Sequence, residues 1–415
     1  MVRGILFILL LVFAEAYAFK GLKVMSISMD PILRKVISWS FWITTVVAYG
    51  SFFYMLSRRS EMSNFKSYGF FNFAVGFFLI VFISKLLFAS FHLLDDLMYL
   101  VRYVIQKFSS PPEAETHEKL NRVQFFNQVG LVATAALLGS MLYGVTRGKY
   151  AFRVLQEKLA FKDLPDSFDG LRIIHISDMH IGSFNNNFDD VQPGFDMINA
   201  LEPDYIFFTG DLVNNFADEA EPWIDRLAGL KAKYGKFSIL GNHDYGDYAL
   251  SQFPAKKELN FKRLVEIHKE AGFKLLRNEN VRLERNGQSI SLLGTENWGL
   301  GFHQYGDLEK TMSGVSPEDF KIMLSHDPTF WEEHLKGKTN VHLTMSGHTH
   351  GAQFGVELPS LGIKFSPVSL RYKRWGGLYT EGGQHLYINR GFGFLAFPGR
   401  VGMPPEITLI EFKKA

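Results

Sequence analysis

The 415-residue chain contains no cysteine. Disulfides, thiolate nucleophiles and thiolate-ligated metals are therefore excluded, and a metal centre is expected to use His, Asn and carboxylates. An excess of one charge is also missing. The chain has 44 Lys and Arg against 42 Asp and Glu, a net of +2. That balance gives no footprint for a nucleic acid, and no such partner is expected. Charge is scarce in another sense across the first 150 residues, where long apolar runs precede a remainder that reads as a soluble α/β chain. A chain of this length exceeds one typical domain. The change of composition predicts residues 1–150 as a transmembrane helical region and residues 151–415 as a separate domain.

A membrane-crossing helix needs about 20 mainly apolar residues. The runs 36–56, 69–94 and 129–145, the last flanked by Phe125 and Phe126, meet or approach that length. A fourth run, 4–18, is shorter and ends in Ala16-Tyr17-Ala18, the small-residue pattern of a signal-peptide cleavage site. Glu15 just before it argues against cleavage, and the run extends through Phe19, so about four spans are expected. The protein is then integral to an inner or plasma membrane. Four spans put both chain ends on one side. Arg58, Arg59, Lys66, Arg147, Lys149 and Arg153 nearly balance the opposing Lys20, Lys23, Arg34, Lys35, Arg102, Lys107, Lys119 and Arg122. The expectation is a cytoplasmic C-terminal domain. Lys85 is a charge inside the third run, yet close enough to one end to snorkel. Residues 109–122, with Pro111 and Pro112, read as an exposed loop.

From Leu171 onward short apolar runs end in polar clusters. Leu171-Arg172-Ile173-Ile174-His175-Ile176-Ser177 leads to Asp178-Met179-His180, and 204–209 leads to Gly210-Asp211. Phe237 to Leu240 leads to Gly241-Asn242-His243-Asp244, 320–324 to Ser325-His326-Asp327, and 341–346 to Gly347-His348-Thr349-His350. Helix-like stretches at 189–201, 221–233 and 257–271 separate the earlier ones, which is α/β layering. Each cluster alone is an ordinary cap or turn. Five in series, all at the carboxyl ends of strands where α/β sheets bind ligands, point to one site.

The series DMH, GD, GNHD, SHD and GHTH closely resembles the calcineurin-like metallophosphoesterase family, over roughly Leu155 to Lys413. It is most similar to the branch opening on DGLRI-x-ISD-x-H, here Asp169 to His180. The resemblance implies an α/β fold, a four-layer αββα sandwich of two mixed sheets with helices outside. It also implies that Asp178, His180 and His350 hold one metal ion, that Asn242, His326 and His348 hold another, and that Asp211 bridges them. Seven donors exceed the needs of one ion, and their chemistry suits two divalent cations: Mn, Fe or Zn, with Mg as an alternative. If residues 347–350 are extended, His348 and His350 point the same way. By the same likeness, His243 faces the substrate phosphate as a catalytic group, and Asp244 orients it through a hydrogen bond. One departure is Ala352 in Gly351-Ala352-Gln353, where relatives often have a second glycine; a methyl there is expected to trim the pocket.

Other residues carry weaker signals. Arg390 is expected to make a structural ion pair and His175 to lie in the core. Residues 296–298 read as a loop, with lining of the pocket rim as the alternative. Arg371-Tyr372-Lys373-Arg374-Trp375 reads as a solvated basic loop and 392–397 as a core-packing loop, with contact to lipid as the alternative for both. The expected activity is that of a membrane-anchored, dinuclear metal-dependent phosphohydrolase cleaving a phosphodiester or pyrophosphate. Its partners are the membrane and a phosphate-ester substrate, a lipid among the candidates because tethering concentrates an enzyme on membrane substrates. The alternatives are a phosphatase on a soluble phosphomonoester or nucleotide, and a membrane protein that only binds.

Overall fold

A computed structural model describes residues 2–58, 68–108 and 116–415. The chain divides into two compact units that part between Tyr143 and Gly144. Four helices dominate the first: α1 (Val2–Ser26), α2 (Pro31–Ser57), α3 (Tyr68–Phe108) and α4 (Thr116–Thr146). Each contains a stretch long and apolar enough to cross a membrane, namely Gly4–Ser26, Pro31–Ser57, Gly69–Phe108 and Val123–Thr146. α1 passes unbroken through Ala16-Tyr17-Ala18, so its apolar stretch is longer than the sequence run suggested. α2 begins where the Asp30 carboxylate accepts from the amides of Ile32 and Leu33 at 2.8 and 3.2 Å, with Pro31 in the first turn. Arg59, Lys66 and residues 109–115 of the expected loop lie outside the described residues. Residues 116–122 are not loop but the first turns of α4.

Lys85 does not snorkel. Its ammonium lies 2.9 Å from Glu15 Oε2, beside Thr45 Oγ1, and 3.7 Å from the centre of the Phe41 ring. Glu15 also accepts from Thr45 at 3.1 Å and from Tyr49 at 2.7 Å. The two charged side chains are only 12% and 8% exposed. Glu15 and Thr45 fall near the middle of α1 and α2. The pair therefore links three helices at a depth where neither charge is tolerated without the other.

The second unit opens with β1 (Arg153–Phe161), β2 (Arg172–Ile176), α5 (Phe188–Ala200), β3 (Tyr205–Phe208), α6 (Ile224–Ala228), β4 (Gly235–Ser238), α7 (Asp247–Leu250), α8 (Pro254–Glu270) and β5 (Phe273–Leu275). It continues through β6 (Glu279–Arg285), β7 (Gln288–Gly294), α9 (Leu308–Met312), β8 (Lys321–Leu324), β9 (Leu343–Ser346), β10 (Val356–Leu358), β11 (Ile363–Phe365), β12 (Gly377–Glu381), β13 (Gln384–Ile388) and β14 (Glu406–Lys414). These strands form two mixed six-stranded sheets, ordered β1-β14-β2-β3-β4-β5 and β12-β13-β9-β8-β7-β6, and a β10–β11 hairpin. β2 to β5 run parallel, as do β13, β9, β8 and β7, while β14 is antiparallel to β2.

Alternation along the strands assigns the layers. Ile173, Phe207, Ile322, Leu324, Leu343 and Met345 fill the core between the sheets. Ile174, Ile176 and Phe208 face the other way, onto Val191, Phe195 and Ile198 of α5 and Leu264 and Ile267 of α8. Leu293, Met323, Leu386 and Ile388 pack outward against Trp331 and Leu335. Strands buried on both faces need cover on both, which is the αββα arrangement. α5 and α8 match the expected helices within a few residues. The expected helix at 221–233 is shorter: a 3₁₀ turn precedes α6, which ends before Gly229, and the Lys233 amide is drawn off to Pro203 O.

Register sets up the site. Ile176, Phe208 and Ser238 lie side by side at the carboxyl ends of β2, β3 and β4, as do Gly294, Leu324 and Met345 in β7, β8 and β9. Every polar cluster of the series leaves one of these ends.

Candidate metal centre

The loops leaving the strands turn sharply. Asp178, His180, Asp211, His348 and His350 all have left-handed backbone, with φ from 40° to 71°. Each such residue stores strain of order 1 kcal/mol, and strain of this kind gathers at functional sites. The extended backbone expected at 347–350 is thus replaced by a turn. Ala352 is left-handed too, at φ 50°, so what distinguishes it from glycine is backbone strain rather than a trimmed pocket. Glycine is required at two points of close approach: a Cβ on Gly241 would collide with the Asp211 carboxylate, and one on Gly347 with Ser177 and Asp178.

Two groups of donors result, Asp178, His180 and His350 in one and Asp211, His326 and His348, joined by Asn242, in the other; the His and Asp ligand atoms of each lie within 4.8 Å of one another. In the first, His180 Nε2 is 3.1 Å from His350 Nε2, which is 3.3 Å from Asp178 Oδ1. In the second, Asn242 Oδ1 is 3.1 Å from His326 Nε2 and 2.8 Å from His348 Nδ1. Asp211 Oδ2 stands between them, 3.5 Å from His180 Nε2 and 3.2 Å from His326 Nε2. All seven residues expected from sequence are brought together here, and all but His348 are buried.

Hydrogen bonds outside this ring fix how the donors face. His326 Nδ1 is 2.7 Å from Thr209 O, which makes Nδ1 the protonated nitrogen and leaves the Nε2 lone pair free. His348 turns Nδ1 inward, with Nε2 2.8 Å from Tyr372 Oη and 3.4 Å from Asp327 Oδ2. His243 Nδ1 is 2.7 Å from Asn214 O. Its ring stands edge-on to His180 and leans on Tyr248, with centroid distances of 5.0 and 4.6 Å.

Asp244 departs from its expected role. Its carboxylate is not on the His243 ring, which the Asn214 carbonyl holds instead. Asp244 Oδ2 accepts from the amides of Asp211 and Gly241 at 2.8 and 2.9 Å, and Oδ1 from those of Leu212 and Val213 at 2.9 and 3.3 Å. It ties the loop after β3 to the loop after β4, where two chains of backbone N–H would otherwise lack acceptors.

The donors fit a metal pair. Burial opposes ionisation of Asp211, yet the neighbouring His326 and His243 hold its carboxyl well below the usual range. Burial would likewise lower His326, but Asp211 and Asp178 prevail and push it up to about 10. Burial and the Asp211 charge push Asp244 up to about 7, against the pull of its amides. Burial holds His243, His348 and His350 below the usual imidazole value, so their lone pairs stay open to a cation, and the buried Asp178 and Asp211 carboxylates call for positive charge, which two divalent cations would supply. Carboxylate oxygens beside inward-facing imidazole lone pairs are the donors that Mn, Fe or Zn prefer.

Beside the centre lies a cavity of about 400 Å³ lined by Asn242, Asp247, Tyr248, Asn297, Phe302 and His303. Asn297 thus reaches the rim, whereas Glu296 pairs with Arg277 at 3.1 Å. Arg390 makes its structural pairs, 2.6 Å to Glu406 and 2.7 Å to Glu357. His175 is buried on Thr209 Oγ1 at 2.9 Å. Of the basic loop, Tyr372, Arg374 and Trp375 are buried, with Arg374 between Glu332 and Glu381, so it is not simply a solvated loop. Phe392, Phe394 and Phe397 are core. Tyr372 reads from sequence only as part of the basic loop, and sequence reasoning passed over Tyr248, Asn214 and Arg400, whose buried guanidinium sits 3.3 Å from His350 Nδ1. Asp327 had a signal, since it closes the SHD cluster; the others lie outside every cluster.

A two-sheet sandwich that gathers carboxylates and imidazoles at its strand ends is the architecture of a metal-dependent hydrolase. Comparison with known proteins narrows the class. Residues 171–352 match the family model of the calcineurin-like phosphoesterase, and residues 2–149 that of a probable calcineurin-like phosphoesterase transmembrane domain. The uncharacterized metallophosphoesterase YkuE of Bacillus subtilis is 31% identical over 304 residues, 71% of this chain and 99% of that protein. A Danio rerio transmembrane protein with metallophosphoesterase domain is 28% identical over 69% of this chain, which spans 62% of that relative's length. The crystal structure of TT1561 of Thermus thermophilus aligns at a TM-score of 0.34 and 11% identity, over 56% of this chain and 91% of that one. The chain belongs to the calcineurin-like phosphoesterase family.

Proposed function

We propose that this phosphoesterase is a membrane-anchored, dinuclear metal-dependent enzyme cleaving a phosphodiester or pyrophosphate, with a lipid-linked substrate in view. Residues 1–150 serve as the anchor and 151–415 as the catalytic domain, on the cytoplasmic side. The observation that carries this reading is the position of Asp211 Oδ2, 3.2 Å from His326 Nε2 and 3.5 Å from His180 Nε2, within reach of both donor groups. Asp178, His180 and His350 would hold one ion, Asn242, His326 and His348 the other, with Asp211 common to both. When bound, the pair supplies an activated water and neutralises charge growing on the phosphoryl oxygens. His243 has Nδ1 engaged by Asn214, so Nε2 is the atom left for a phosphoryl or leaving-group oxygen. Asp244 is a positioning residue, holding the loops of Asp211 and Asn242 together.

The test is metal content and turnover of the purified full chain with Mn, Fe, Zn or Mg, on bis- against mono-p-nitrophenyl phosphate. Two ions per chain and preference for the diester are expected. Preference for the monoester would favour a soluble phosphomonoester substrate. Inertness on both, with every metal and with metal bound, would leave only a binding role.

A further inference from the structure

The helical unit carries a second built feature, remote in sequence from the metal centre. Arg34, Lys35, Ser38, Trp39 and Trp42 follow the i, i+1, i+4, i+5, i+8 spacing that puts them on one face of α2. With Phe19 of α1, 5.1 Å from the Trp42 ring, they line a cavity of about 430 Å³. Neither Arg34 nor Lys35 has an ion-pair partner among the described residues. The nearest carboxylate in sequence, Asp30, is taken up in capping the amides of Ile32 and Leu33. Lys23 lies at the same end, its ammonium 4.8 Å from the Phe19 ring.

Chemistry changes along this face in a set order. Two cations come first, then a hydroxyl and an indole, then a second indole, and beyond it the apolar, exposed Ile43, Val46 and Val47. α2 has 27 residues, about 40 Å at 1.5 Å per residue, against a hydrocarbon core of about 30 Å. Its first turns therefore reach headgroup level, where indoles collect and cations meet lipid phosphate. From Arg34 to Trp42 the helix rises about 12 Å, enough to pass from a phosphate through the glycerol region to the start of the acyl chains.

We propose that this cavity is a binding site for an anionic glycerophospholipid, its phosphate on Arg34 and Lys35 and its glycerol backbone beside Ser38, Trp39 and Trp42. A zwitterionic lipid is disfavoured because its own ammonium would face the two unpaired cations. A free phosphate is disfavoured because it leaves the indole wall unused. The site is independent of the hydrolytic reading.

The test reconstitutes the full chain in vesicles of phosphatidylcholine and phosphatidylglycerol at 4:1, extracts it mildly, and counts retained lipids by native mass spectrometry. The native chain should keep phosphatidylglycerol well above its share of the mixture. Arg34→Ala/Lys35→Ala should lower that retention about tenfold or more, at a factor of about five per cation. Hydrolysis of bis-p-nitrophenyl phosphate should be unchanged. If the double variant fails to accumulate, Lys35→Gln alone should show a loss of about fivefold. Equal retention by native chain and variant, or retention in proportion to the mixture, overturns the proposal. Displacement of the lipid by millimolar inorganic phosphate also overturns it, since the site would then serve a soluble anion.

Discussion

Replacing Asp244 by Asn separates two roles that sequence alone could not tell apart. In the native site each carboxylate oxygen accepts from two backbone amides, Asp211 and Gly241 on one, Leu212 and Val213 on the other. Asn keeps one oxygen and turns an NH₂ toward the other pair of amides, so two buried N–H groups lose their acceptor and meet a donor. At about 1–3 kcal/mol for each orphaned group, the loss is on the order of 4 kcal/mol. Relief of repulsion between residue 244 and Asp211 offsets part of it. For a unit of this size, about 2–4 °C per kcal/mol gives a fall in Tm of roughly 10 °C. The assay is thermal unfolding of the purified chain alongside metal content and kcat. Asp244→Asn should lower Tm and metal content together, because the loop of Asp211 is no longer held. A variant with native Tm and two bound ions but a collapsed kcat would refute the reasoning, and would restore Asp244 to work on His243.

Other outcomes follow from the same geometry. Asp211→Asn should lower kcat by at least about 10²-fold and reduce metal content toward one ion per chain, whereas His243→Ala should lower kcat by about 10²–10⁴-fold with both ions retained. Full activity in His243→Ala would remove that residue from the reaction. Glu15→Gln leaves the Lys85 ammonium unpaired within the helices and should cost about 3–5 kcal/mol in detergent unfolding. Glu15→Leu combined with Lys85→Leu should recover most of that, and failure to recover would show that the pair is not what links the helices. Burial holds His268, beside Ser238 Oγ at 3.0 Å, down to about 4 against 6.5 for a free imidazole. The folded state binds fewer protons between those values, so this contribution is complete above pH 6.5 and declines as pH falls toward 4, by about 3 kcal/mol. His268→Gln should flatten the acid side of a Tm-against-pH curve; an unchanged slope would exclude this residue.

Much of the architecture is local and therefore legible. Runs of about 20 apolar residues mark membrane helices whatever surrounds them, and β-branched runs ending in Asp, His or Asn mark strands with a site beyond them. The seven donors from Asp178 to His350 were recognisable because each immediately follows a strand. Where reading failed, the deciding partner was distant in sequence. Lys85 reads as a snorkelling charge by its position alone, because its partner Glu15, 70 residues away, offers no local signal. The helix expected at 221–233 stopped early because tertiary contacts claimed its last backbone groups.

The sequence by itself determined which chemistry is available: no thiol, seven oxygen and nitrogen donors, and a strand end for each. Only the tertiary structure decided how the groups around those donors pair, setting the Asn214 carbonyl on His243 and giving Asp244 to four amides. The reason is that residue type and strand periodicity act within a few positions of the chain. The choice of a hydrogen-bond partner is made between loops that meet only after two sheets have packed, where each buried donor must find the nearest acceptor.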